Sequence, residues 1–109
     1  LIINLTKKMR FKMRKINNID YVSKEKGTLI GVGYHLRDLS FVDDLSNEEL
    51  KKALKISYNR INDNFKIKDI EIKNILNEIK NYDISNLLIA TNNLIDLAVK
   101  ILNKSDNLK

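Results

Sequence analysis

His35 is the single histidine of a chain that has no cysteine. A sulfur nucleophile paired with imidazole and a two-histidine zinc site are therefore both ruled out. Asp38 is near His35 in sequence, but no serine sits in a nucleophile-elbow context, so His35 reads as a structural histidine. Gly31-Val32-Gly33 is a fragment of a glycine-rich loop. A dinucleotide fingerprint needs a third glycine and a helix opening at once, whereas the apolar run continues through Tyr34-His35-Leu36. These glycines read instead as a strand bulge or a close approach by another backbone.

Asp38, Asp43, Asp44, Glu48 and Glu49 form an acidic run with no intervening base. Glu48 and Glu49 suit the positive end of a helix that starts at Ser46, and the alternating acids and glycine of a calcium loop are absent. That leaves Asp38, Asp43 and Asp44 as the candidate patch for a basic protein partner. No cofactor and no metal are expected.

The net charge is +6, and all of it lies in residues 1–15, which hold Lys7, Lys8, Arg10, Lys12, Arg14 and Lys15 without an acid. From residue 16 onward, 14 basic residues balance 14 acidic ones. The basic run, with Phe11 available to stack on a base, is the candidate contact for a nucleic-acid partner. Two observations weigh against it. Lysines outnumber arginines 16 to 4, although bidentate phosphate or guanine recognition favours arginine. Ile, Lys and Asn, all with AT-rich codons, make up 47 of the 109 residues, so base composition explains much of the lysine. If translation began at Met13, the net charge would fall to +2.

A 109-residue chain that is 43% apolar is long enough for one domain with a real core and too apolar for a disordered chain. The longest uncharged run, Ile84 to Ile95, falls short of the ~20 residues of a membrane span. A cytoplasmic domain with no membrane partner is the expectation.

The elements that must position these residues follow from periodicity. Lys8 to Arg14 alternates charged and apolar residues as a strand or an extended arm does. Ile19 to Val22, the polar stretch Ser23 to Gly27, and Thr28 to Tyr34 predict an antiparallel β-hairpin with Gly31 or Gly33 at a bulge. Arg37 to Leu45 is a connector. Ser46 with Glu49 forms a capping box that opens a helix over 47–63. Asp69 caps a second helix striped by Ile72, Ile75, Leu76, Ile79 and Tyr82, and Ser85 caps a third that runs to about Asn103.

This third helix carries apolar residues over an arc of about 200°, twice that of an ordinary surface helix. Its inner flank, Ala90, Leu94, Leu97 and Ile101, faces the other helices. Its outer flank, Leu88, Ile95, Val99 and Leu102, has the spacing of a helix–helix seam and predicts a two-fold homodimer, unless the β element folds over it.

The expected fold class is thus α+β: a small antiparallel β-hairpin element followed by three amphipathic helices. Residues 1–15 form a basic arm or edge strand and residues 16–109 a single domain. The expected function is a non-enzymatic protein–protein interaction module, binding or inhibitory, from an AT-rich bacterium, phage or mobile element. The alternative is a sequence-tolerant nucleic-acid-binding protein that uses the basic arm.

Overall fold

The computed structural model describes residues 23–65 and 69–108. Among them the chain forms four helices and no strand: α1 (Lys24–Leu39), α2 (Asn47–Asn64), α3 (Ile70–Lys80) and α4 (Leu87–Asp106). The expected α+β class is overturned; the described residues form a small all-helical bundle.

The error lies in α1. Thr28 to Tyr34, expected as a strand, is helical, and Ser23 to Gly27, expected as the hairpin turn, is the cap and first turn of that helix. The Lys26 N–H donates to Ser23 Oγ at 3.1 Å, an N-cap, and Thr28 Oγ1 donates back to Lys24 O at 2.8 Å. Leu29, Val32 and Leu36 recur at helical spacing and are fully buried, so one stripe of α1 enters the core. The other expected hairpin strand, Ile19 to Val22, and the alternating Lys8 to Arg14 lie outside the described residues.

The remaining helices keep their expected type. Ser46 and Glu49 form the reciprocal capping box of α2 through bonds of 3.1 and 2.9 Å. Asp69 caps α3 by accepting from the Glu71 and Ile72 N–H groups. The cap of α4 is Asn86 rather than Ser85, whose own N–H is taken by Asp83, and the helix runs on to Asp106.

The helices close into a ring of antiparallel neighbours. Gly33 of α1 lies against Ala98 and Leu102 of α4, while Phe41 and Leu45 beyond α1 share a surface with Leu87 and Leu88 at the start of α4. These two helices therefore run in opposite directions, and theirs is the most extensive packing among the described helices.

The α3–α4 pair is pinned at both ends. Tyr82 Oη donates to Ala90 O at 2.7 Å. At the far end Lys104 reaches Asp69 Oδ2 at 3.0 Å and Glu71 Oε1 at 2.7 Å, with its side chain only 11% exposed. Lys104 holds the Asp69 carboxyl below the usual carboxylate range, and Glu71 in turn holds the Lys104 ammonium above its own. One carboxylate thus caps α3 and fastens it to the last turn of α4.

The inner flank of α4, Ala90, Leu94, Leu97 and Ile101, is buried as its spacing requires, and Ala98 is buried beside it. Leu102 on the outer flank is half-buried. Part of the wide apolar arc is therefore covered by α1, which does as a helix what the β element was to do.

Gly31 and Gly33 distinguish propensity from packing. A Cβ at Gly31 would meet only the tip of the Arg60 side chain at 3.1 Å, whereas one at Gly33 would sit 2.6 Å from both Cγ and Cδ2 of Leu102. Gly31→Ala is expected to stabilise the fold by about 0.5–1 kcal/mol, because glycine is costly inside a helix. Gly33→Ala is expected to destabilise it by about 1–3 kcal/mol through overpacking, despite the same helical gain. Urea unfolding of the two variants checks this; stabilisation by both would mean that α1 and α4 do not need their close approach. Ser57 supplies a second test, since it is 1% exposed and its Oγ has no hydrogen-bond partner among the described residues. Ser57→Ala should raise the unfolding free energy by about 1 kcal/mol in the same assay.

Candidate functional site

The acids singled out in the connector stand at the corner between α1 and α2. The helix ends through Ser40, whose N–H is shared by the Leu36 and Arg37 carbonyls, and the Phe41 and Val42 N–H groups continue the turn onto Asp38 O and Leu39 O. Leu45 then returns to the core with 6% of its surface exposed, one residue before the Ser46 cap. Residues 41–44 are held between these two anchors and face outward. All four are exposed, Phe41 by 68%.

Phe41, Val42 and Asp43 form one wall of a groove of about 450 Å³ whose opposite wall is Leu87, Leu88, Thr91 and Asn92 of α4. Leu88 is 71% exposed. The result is a groove of mixed apolar and polar lining with carboxylates beside it. Asp43 and Asp44 make no ion pair among the described residues, whereas Asp38 is paired with Arg37 at 3.2 Å, and Arg37 lies 4.6 Å above the Tyr34 ring. Glu49 belongs to the helix start: hydrogen bonds from the Ser46 backbone and hydroxyl hold its carboxyl below the usual range.

The other expected residues separate. Of the proposed dimer seam, Leu88 joins the corner groove and Val99 is 48% exposed, while Ile95 and Leu102 are half-buried. The seam is thus not one continuous open stripe. His35 is exposed on α1 and makes no hydrogen bond among the described residues, and no group of three or more metal-ligating side chains occurs among them. Lys7, Lys8, Arg10, Phe11, Lys12, Arg14 and Lys15 lie outside the described residues. No helix among those described is long and apolar enough to cross a membrane.

Sequence reasoning passed over Phe41 and Val42. The available signal was a pair of large apolar residues inside a polar connector, immediately before two acids. It also passed over a second concavity, of about 480 Å³, between α2 and the end of α3, with Leu54, Tyr58, Ile79, Tyr82 and Ile84 in its lining. Comparison of the chain with protein-family models, with curated proteins and with solved structures finds no match.

Tyr82 is the most perturbed group at this second concavity. Burial pushes its phenol up to about 12, and the nearby Asp96 and Glu78 charges act in the same direction. The fold thus favours the neutral phenol more than the unfolded chain does. That stability is fully present below about pH 10, the ordinary tyrosine value, and is lost as pH rises from there through about 12. Urea unfolding at pH 9 and pH 11.5 should show a smaller loss for Tyr82→Phe than for the parent chain. An equal loss in both would place the alkaline sensitivity elsewhere.

Proposed function

We propose that the protein is a non-enzymatic interaction module that binds a protein partner through the α1–α2 corner. The observation that carries this reading is the exposure of Phe41, Val42 and Leu88 around one groove, with Asp43 and Asp44, which make no ion pair among the described residues, beside it. Large apolar side chains gathered on a surface and rimmed by polar groups are the mark of an interaction site. This reading gives the residues separate roles. Phe41 and Leu88 are the apolar anchors, and Asp43 and Asp44, with Asp38 held by Arg37, select a partner that brings basic residues. Rigid support comes from the cap at Ser46 and the buried Leu45, so the loop needs little ordering on binding.

A photo-crosslinking phenylalanine analogue at position 41, introduced in the producing cell, tests the reading. The expected result is one protein adduct of defined mass. It should disappear when Asp38, Asp43 and Asp44 are all changed to Asn, while the melting temperature stays nearly unchanged, as is usual for exposed substitutions. An adduct that survives neutralisation, or one formed equally from a control analogue at exposed Ile70 on α3, would overturn it. So would a large loss of stability, which would make the acids part of the fold.

A further inference from the structure

We infer that the concavity between α2 and α3 is a binding site for a small amphipathic anion, a carboxylate on an aliphatic or aromatic body. This site is separate from the corner groove and does not depend on it.

The pocket follows from the packing. Leu54 and Tyr58 on α2, Ile79 near the end of α3, and Tyr82 and Ile84 in the connector leave a concavity of about 480 Å³. That volume falls within the roughly 300–1,000 Å³ of small-molecule sites. Its interior is apolar. Tyr82 does not offer its hydroxyl freely, because that proton is already given to Ala90 O at 2.7 Å.

The rim has one sign of charge: Lys51, Lys55 and Lys80 line it. None of the three makes an ion pair among the described residues, whereas Lys100 and Lys104 on α4 are both paired with α3 carboxylates. Lys51 and Lys55 stand four apart on one helix face, an arrangement in which like charges repel. Lys80 gains from the negative end of α3, whereas Lys51 lies in the second turn of α2, three residues after Glu48, and Lys55 at the middle of the helix, so neither is near a negative helix end. The acid adjoining the far end of the pocket, Asp83, is turned to the Ser85 N–H at 3.0 Å. An anion with an apolar tail would relieve the repulsion on the rim and cover the apolar interior at once. A neutral apolar molecule would do only the second, and a cation would add to the repulsion.

Titrations of the full chain followed by heteronuclear NMR test this, with three probes: sodium decanoate, decyltrimethylammonium of the same tail and opposite charge, and sodium acetate, which lacks the tail. Decanoate should saturate with a midpoint below about 1 mM. Its shifts should be confined to the surroundings of Leu54, Tyr58, Ile79, Tyr82 and Ile84, with helical circular dichroism unchanged. The other two probes should leave these signals in place. The double variant Lys55→Glu, Lys80→Glu should weaken decanoate at least tenfold while keeping the parent's helix content. The milder pair Lys55→Gln, Lys80→Gln should fall between the two.

Equal binding of both charged amphiphiles would overturn the inference, because the lysines would then be solvated side chains lying over apolar surface. Shifts centred on Phe41 and Leu88, shifts spread through the core as a denaturing surfactant gives, or no saturation would overturn it as well. Saturation by acetate alone would leave a surface anion contact without the apolar site.

Discussion

The close approach of α1 to α4 at Gly33 is the contact on which the rest of the architecture rests. With no side chain at Gly33, Leu102 and the backbone of Ala98 can lie directly against α1. Glycine inside a helix costs roughly 0.5–1 kcal/mol relative to alanine. That cost is offset by seating the fully buried Leu29, Val32 and Leu36 beside α4, where burial of such side chains is worth about 1.5–3 kcal/mol each. A helix whose apolar arc reaches about 200° needs neighbours on two flanks. The α1 contact supplies the second, since α3 is already fastened to α4 by Asp69, Glu71 and Lys104 at one end and by Tyr82 at the other.

Once α1 is seated in this way, the course of the chain beyond it is constrained. Its last turn must end beside the start of α4, and the short connector must bring Leu45 back into the core before α2 can begin at Ser46. Seven residues separate α1 from α2, too few to tuck Phe41 and Val42 inward while Leu45 fills its own place. Their exposure is a consequence of topology rather than of local preference. The same geometry sets Leu88 opposite them, which turns two unrelated apolar side chains and an i+1 neighbour into one groove.

What could be read in the sequence was what is decided locally. The starts of α2 and α3 depend on Ser46, Glu49 and Asp69, each of which bonds backbone groups two or three residues away. Such signals are legible without knowing the fold. The α4 stripe was legible too, because ten apolar residues at helical spacing dominate any local alternative. In α1 the local and global signals conflict. Gly31, Gly33 and the β-branched residues between Thr28 and Val32 argue for a strand, while Leu29, Val32, Leu36 and the Ser23 cap argue for a helix. The deciding interaction is with Leu102, 69 positions beyond Gly33, and no window along the chain contains it. The expected strand bulge is absent, because these residues are helical; of the two glycines Gly33 alone marks a close approach, and its partner is a helix.

Of the candidate surfaces, the sequence showed the charged residues and the outer flank of α4 with Leu88, but not the grooves they line. Asp43 and Asp44 could be named from the sequence, but whether they flank an apolar groove depends on where α4 begins in space. The same holds for Lys51 and Lys55, which resemble any solvated helix face until α3 brings Lys80 and Ile79 alongside. The fold also sorts its charges. Lys100 and Lys104 are taken up across the α3–α4 interface by Glu78, Asp69 and Glu71, so the ion pairs that join elements among the described residues all lie there. The charges without an ion pair among the described residues include acids at the α1–α2 corner and lysines between α2 and α3. Each lies against exposed or half-buried apolar surface, where a partner excludes water and charge is felt more strongly than in solution. An occupant suited to one groove by its charge would for that reason be disfavoured at the other, so opposite local fields coexist in a sequence whose formal charges sum to zero from residue 16 onward.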